Sequence, residues 1–187
     1  EATCEAIADY VEIQREAGVE AVDAIATSAV RDAANGDAFI AELRERFALS
    51  ARLLDGDEEA RLTYLGATSE QRPTEPTLVL DIGGGSTELV VGSGDEIAFR
   101  ASLQAGVVRH TERHVSADPP TVNELEALAT DVRGLIEAAI ADCGEARVGT
   151  GIAVAGTPTS LAAIVTGRAP CAGAAAATGR RGRRERR

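Results

Sequence analysis

Leu78-Val79-Leu80-Asp81-Ile82-Gly83-Gly84-Gly85-Ser86-Thr87-Glu88-Leu89-Val90 is the stretch on which the reading of this chain turns. The branched apolar run predicts a buried strand that delivers the Asp81 carboxylate to its end; three glycines then turn the chain into a second apolar run. Glycine lets the backbone approach an anion and adopt φ > 0, so the N–H groups of Gly83, Gly84, Gly85 and Ser86 can form a nest for phosphate oxygens. At the mouth of such a nest Asp81 is placed to hold Mg²⁺, directly or through water. A plain hairpin turn is the alternative, and it would need none of Asp81, Ser86 and Glu88.

Upstream, Glu1 to about Gly18 carries Ile7, Tyr10, Val11 and Ile13 among Ala, Glu and Asp, which predicts an amphipathic helix stopped by Gly18. Ala21–Ala26 follows as a buried strand. Thr27-Ser28 is expected to cap a short helix that bears Arg31 and ends near Asn35-Gly36. A helix over Asp37–Phe47, a short strand at Ala51–Leu54, and a helix from Glu58 to about Ala67, introduced by Asp55-Gly56-Asp57, complete this part. Glu70 to Pro76 is polar and proline-bearing, so a loop or hinge is expected there.

Downstream, Ile97–Leu103 predicts a third strand, which makes a meander with the two around the glycines. Helices are predicted around Val107–His114 and Thr121–Ala141. Gly151–Gly156 then reads as a strand ending in a glycine turn, with Thr157–Val165 as a helix. Alternation of this kind predicts an α/β fold with helices packed on a mixed sheet. Beyond Thr166 the sequence is Ala, Gly and Arg without periodicity, which is expected to be a disordered or non-native end.

Composition narrows the function classes. Hydrophobic residues make up 44% of the 187 and aromatics only 3%, so the core must be built from Ala, Val, Leu and Ile. The net charge is −11, and because the Arg-rich tail is basic the rest is more acidic still. Such a body does not attract nucleic acid or anionic lipid diffusely, so no nucleic-acid partner and no membrane is expected, and any phosphate must be met by a local site. All 19 basic residues other than histidine are Arg, which excludes a mechanism that needs lysine. Cys4, Cys143 and Cys171 are few and scattered, without a C-x-x-C pair, which fits a reducing compartment; a cytoplasmic protein is expected. His110-Thr111-Glu112-Arg113-His114 lacks the zinc-protease order and an evident third ligand, so a surface helix is expected.

Asp81 to Glu88 resembles the second phosphate loop of the exopolyphosphatase/guanosine pentaphosphate phosphohydrolase (Ppx/GppA phosphatase) family, a branch of the actin, Hsp70 and sugar kinase superfamily. Three further blocks are similar to the family in order and spacing: Ala26–Asn35, Asp55–Arg61 and Ala155–Ala162. The resemblance implies a ribonuclease H-like, actin-like ATPase fold with two lobes around a cleft. Its expected organisation is the remainder of a first lobe over 1–72, a hinge at 73–76, a second lobe over 77–166 and the tail at 167–187. It further implies a first phosphate loop of Asp-x-Gly-(Ser/Thr)-Asn type, which is not in this sequence; the chain is therefore expected to be a fragment with an incomplete first lobe.

The resemblance also assigns roles. Glu59 corresponds to the general base that polarises water for in-line attack on the terminal phosphorus, and Glu88 to a second carboxylate that orients the water or the metal. Read without it, Glu58 and Glu59 suit capping and helix-dipole duty in a first turn. Arg31 matches an arginine near the phosphates, where a guanidinium can take two oxygens; otherwise it is a solvated helix residue. Gly156 and Thr157 bring a second backbone turn to the ligand, or form an ordinary strand-to-helix turn. The implied reaction is Mg²⁺-dependent release of orthophosphate from polyphosphate or guanosine pentaphosphate, in a homodimer when full length. The rival readings are an ATP-dependent small-molecule kinase of the same superfamily and a non-catalytic phosphate- or nucleotide-binding module.

Overall fold

The computed structural model of the protein describes residues 2–70, 72–141, 143 and 148–167. The Arg-rich tail and Cys171 lie outside them. Two compact units are present, one ending at Glu58 and the other beginning at Glu59.

The first unit holds α1 (Ala2–Glu16), β1 (Ala24–Ala26), α2 (Ser28–Arg31), α3 (Gly36–Phe47), β2 (Ala51–Leu53) and the first residues of α4 (Gly56–Ala67). β1 and β2 pair in parallel, Ile25 opposite Arg52. Ile40 and Leu43 are one helical step apart on α3 and bury against Ala51, with Ile7, Val30, Phe39 and Phe47 packed around them. Ala48 ends α3 in the left-handed region, φ 54°, its N–H donating to the Arg44 carbonyl while that of Leu49 reaches Leu43. Two expectations are corrected here. The strand predicted over Ala21–Ala26 is paired only from Ala24, because its partner β2 has only three residues. Gly36 opens α3 instead of closing α2, and Thr27 occupies the N-cap of α2 without a side-chain hydrogen bond.

The second unit is built on a four-stranded sheet of β3 (Thr77–Ile82), β4 (Thr87–Ser93), β5 (Glu96–Leu103) and β6 (Thr150–Val154), in the order β5-β4-β3-β6. β3, β4 and β5 form the predicted antiparallel meander, whereas β6 lies parallel to β3. Helices α5 (Val107–His114) and α6 (Val122–Ile140) connect the two parts, and α7 (Gly156–Thr166) follows β6. The period of two along β3 splits the core in two. Val79 and, opposite it, Val90 pack against Ala60 and Tyr64 of α4. Leu78, Leu80 and Leu89 point the other way, towards Leu103 and Ala105, with Leu135 and Ala139 of α6. Tyr64 is fully buried and its hydroxyl donates to the Gly94 carbonyl at 3.2 Å, which satisfies its polar end. α6 begins with a capping box in which Thr121 accepts from the Glu124 N–H and the Glu124 carboxylate returns to the Thr121 N–H.

Candidate active site

Asp81 and Glu88 stand directly opposite each other one pair before the end of the β3–β4 ladder, so their side chains leave the same face of the sheet. That face is the one α4 covers, and α4 carries Glu59 and Thr63 one turn apart. Thr63 hydrogen-bonds the Asp81 carboxylate, and the negative charge of Glu59 acts on both Asp81 and Glu88. Three of the carboxylates singled out in the sequence therefore share one electrostatic environment.

Burial is the main influence on two of them. Glu88 is only 2% exposed. Its carboxyl is pushed above the ordinary range by burial, with smaller contributions from Glu59 and Asp81, while hydrogen bonds from Ser102 (2.8 Å to Oε1) and Ser86 act in the opposite sense. Asp81 is raised likewise, by burial first and then by Glu59, against the Thr63 hydrogen bond. Glu58, in contrast, performs the capping duty expected of it: its N–H donates to Asp55 Oδ1 at 2.7 Å and its carboxylate pairs with Arg52.

The glycine turn between β3 and β4 is held from behind. The N–H of Val107 donates to the Gly83 carbonyl, those of Val108 and Arg109 to the Gly84 carbonyl, and Arg109 Nε to the Gly85 carbonyl at 2.7 Å. The first turn of α5 thus takes up the carbonyl side of the loop. Among the described residues the amides of Gly84 and Gly85 donate to no backbone carbonyl, whereas that of Gly83 closes the turn on Ser86. An anion nest needs N–H groups left in this way. One expectation is corrected: positive φ occurs at Gly18, Gly94 and Gly167 among the described glycines, so the loop glycines do not use the left-handed region.

The close approach is made instead at Gly106, which the sequence reading passed over. A Cβ there would stand 2.2 Å from the Gly84 carbonyl oxygen, whereas one at Gly84 would meet nothing nearer than Val108 Cγ2 at 3.4 Å. A glycine immediately ahead of a predicted helix was the available signal, but its partner lies some twenty residues earlier in the chain.

Because β6 runs parallel to β3, its end and the turn after it lie beside the glycine loop. A shallow concavity of about 470 Å³ is lined by Ile82, Gly83, Gly84, Val107, Gly156, Thr157, Ser160 and Leu161. The N-cap of α7, Ala155, supplies no side-chain hydrogen bond, so the first-turn amides of that helix are left for another acceptor. Of the expected phosphate-binding residues, Gly83, Gly84, Gly156 and Thr157 are therefore gathered around one hollow. Ser86 is buried at the end of the turn. Arg31 belongs to the first unit, where its Nη1 donates to the Leu54 carbonyl at 2.8 Å.

The family model described as the Ppx/GppA phosphatase family matches residues 1–172. The chain belongs to the Ppx/GppA phosphatase family. Exopolyphosphatase 2 of Mycobacterium tuberculosis is 36% identical to it over 165 residues, 85% of this chain and 51% of that protein. A guanosine-5'-triphosphate,3'-diphosphate pyrophosphatase of Photobacterium profundum is 28% identical over 156 residues, 83% of this chain and 31% of its own length. Among solved structures, that of an exopolyphosphatase-like protein matches with TM-score 0.78 at 37% identity, covering 86% of this chain and 51% of that one. The Ppx/GppA chain has the actin-like ATPase fold of these relatives, and it spans about half the length of the exopolyphosphatase. No helix of the described residues is long and apolar enough to cross a membrane.

α5 is a surface helix, as expected, with Val107, Val108, Thr111, Glu112 and Arg113 exposed, but its inner face corrects one point: His110 is 2% exposed, and a third group does face the histidine pair, Asp131 of α6. Its position in the sequence, a helix and a loop away, gave no spacing to read.

Proposed function

We propose that the complete protein hydrolyses terminal phosphoanhydride bonds and releases orthophosphate from inorganic polyphosphate, guanosine pentaphosphate or both. The observation that carries this reading is a glycine turn whose Gly84 and Gly85 amides are left open, beside carboxylates on β3, β4 and α4. The turn amides, with Gly156 and Thr157, bind the terminal phosphoryl oxygens. Glu59 accepts a proton from water as the water oxygen bonds to the terminal phosphorus and the bridging P–O bond breaks towards the shortened chain. Glu88 orients that water: burial and the Ser102 and Ser86 hydroxyls fix its carboxylate.

Mg²⁺ fits the donor set. The three carboxylates offer only oxygen, and each of Asp81 and Glu88 binds its proton more tightly because of burial first and neighbouring negative charge second; a hard divalent cation relieves the second. Asp81 would hold it, directly or through water. When bound, the ion neutralises charge on the phosphates. A hinge at 73–76 belongs to the same reading.

Orthophosphate release from polyphosphate, guanosine pentaphosphate and ATP, measured with and without Mg²⁺ on the complete protein, tests the proposal. Mg²⁺-dependent release from either of the first two is expected. ADP formation that requires a small-molecule acceptor would point instead to a kinase, and tight binding without turnover to a binding module.

A further inference from the structure

We propose that His110, His114 and Asp131 form a binding site for a divalent transition metal of the zinc type, on the opposite face of the sheet from the three carboxylates. His110 and His114 are one helical step apart on α5, so both rings leave the same face of the helix. Asp131 reaches them from α6, and one ligand atom from each of the three residues lies within 4.8 Å of the others.

Of the two contacts that Asp131 makes with the rings, one is a hydrogen bond and the other is not. Asp131 Oδ2 stands 2.8 Å from His114 Nε2 and 3.5 Å from His110 Nε2. Two ligand atoms on a tetrahedral zinc, with bonds of about 2.0–2.1 Å, are about 3.3 Å apart. The His110 separation lies near that edge length, whereas the 2.8 Å contact of His114 is a hydrogen bond that ligation would replace. The longer one is no hydrogen bond: among the described residues His110 Nε2 is the buried side-chain polar atom that has no partner. A buried nitrogen in that condition is costly and calls for an explanation.

The ring of His110 is oriented for ligation. Its Nδ1 lies 3.3 Å from the Gly106 carbonyl, to which it donates as Nδ1–H, and this leaves the Nε2 lone pair facing Asp131. Metal-bound histidines commonly show this outer hydrogen bond to a backbone carbonyl. Arg113 bonds Asp131 Oδ2 at 3.1 Å, and with half its side chain exposed it can turn out to water when a metal arrives. Two imidazoles and one carboxylate are a borderline-soft set, which favours zinc or cobalt over magnesium.

The chain has only two histidines, which makes the test direct. Zn²⁺ is titrated into the full 187-residue chain and the imidazole resonances are followed by NMR; both are expected to move together and to saturate at one equivalent. Co²⁺ should develop the visible absorption of a four-coordinate ion at the same stoichiometry, and Zn²⁺ should bleach it. His114→Gln and Asp131→Asn, at partly exposed positions, are each expected to weaken binding by at least the roughly 10–100-fold that loss of an outer-shell partner costs. Imidazole signals that stay in place at one equivalent of Zn²⁺ would overturn the site, as would Co²⁺ binding unchanged in both variants.

Discussion

Asp81 and Glu88 stand directly opposite each other where β3 and β4 run into the glycine turn, and burial first, with the charge of Glu59 adding to it, raises the proton affinity of both. Their ordinary pKa values are 3.8 and 4.5, and both are shifted upward in the folded protein. The folded state therefore holds more protons than the unfolded chain between the ordinary and the raised values. No penalty exists below the ordinary values; it grows as pH rises through that window and is fully present above it. Glu88→Gln should accordingly melt higher than the parent at pH 7 and no higher below the ordinary range. At roughly 2–4 °C per kcal/mol for a chain of this size, the difference is readable in thermal melts across a pH series. Equal melting gaps at both ends would show that the Glu88 charge is not what strains the fold.

Replacing Glu59 separates chemistry from binding. Glu59→Gln keeps the shape of the side chain but cannot accept a proton, so in the complete protein orthophosphate release should fall by about 10²–10⁴-fold. Affinity for the phosphate chain should persist. Near-normal turnover in this variant would remove Glu59 from the reaction.

Gly106 and Gly84 should respond in opposite ways to the smallest side chain. Gly106→Ala places a methyl 2.2 Å from the Gly84 carbonyl oxygen, which forces α5 away from the turn. The expected cost is about 1–3 kcal/mol of stability, as for overpacking elsewhere, together with loss of phosphate binding. Gly84→Ala meets only ordinary contact and should fold like the parent. Denaturant unfolding and titration with inorganic phosphate measure both effects, and a Gly106→Ala protein that matches the parent in each would detach α5 from the loop.

Ala155 sits at φ 72° and ψ −178°, a region that only glycine enters freely. The strain is worth about 1–3 kcal/mol, against roughly 0.5–1 kcal/mol of added unfolded-state freedom for glycine. Ala155→Gly should therefore stabilise the protein by about 1 kcal/mol in urea unfolding. A loss of stability would mean that the turn before α7 is relaxed as it stands.

Long, strongly patterned segments were legible in the sequence. β3, β4 and α6 are found where apolar periodicity places them, because burial on one face or both leaves a regular trace. β1 was overextended, since the length of a strand depends on its partner and β2 is short. At the candidate site Asp81 and the glycines could be read from the strand-and-turn pattern, whereas Glu59, Glu88 and Arg31 came through family resemblance. Thr63, Ser102, Gly106 and Arg109 were not legible. Each acts on a residue many positions away, and only the folded chain brings the pair together. The third group at the histidine pair was missed for the same reason: Asp131 lies on α6.

The parallel pairing of β6 with β3 has a consequence for how this sequence can change length. The register that sets Asp81 against Val154 fixes where both glycine turns end, whatever path the chain takes between them. Residues added to the connection between α5 and α6, at Ser116 to Pro120, would be absorbed outside the sheet. A single residue inserted within Thr150–Val154 would instead turn every side chain of that strand over and shift Gly156 and Thr157 off the hollow. The site should thus tolerate a long detour and fail on an insertion of one.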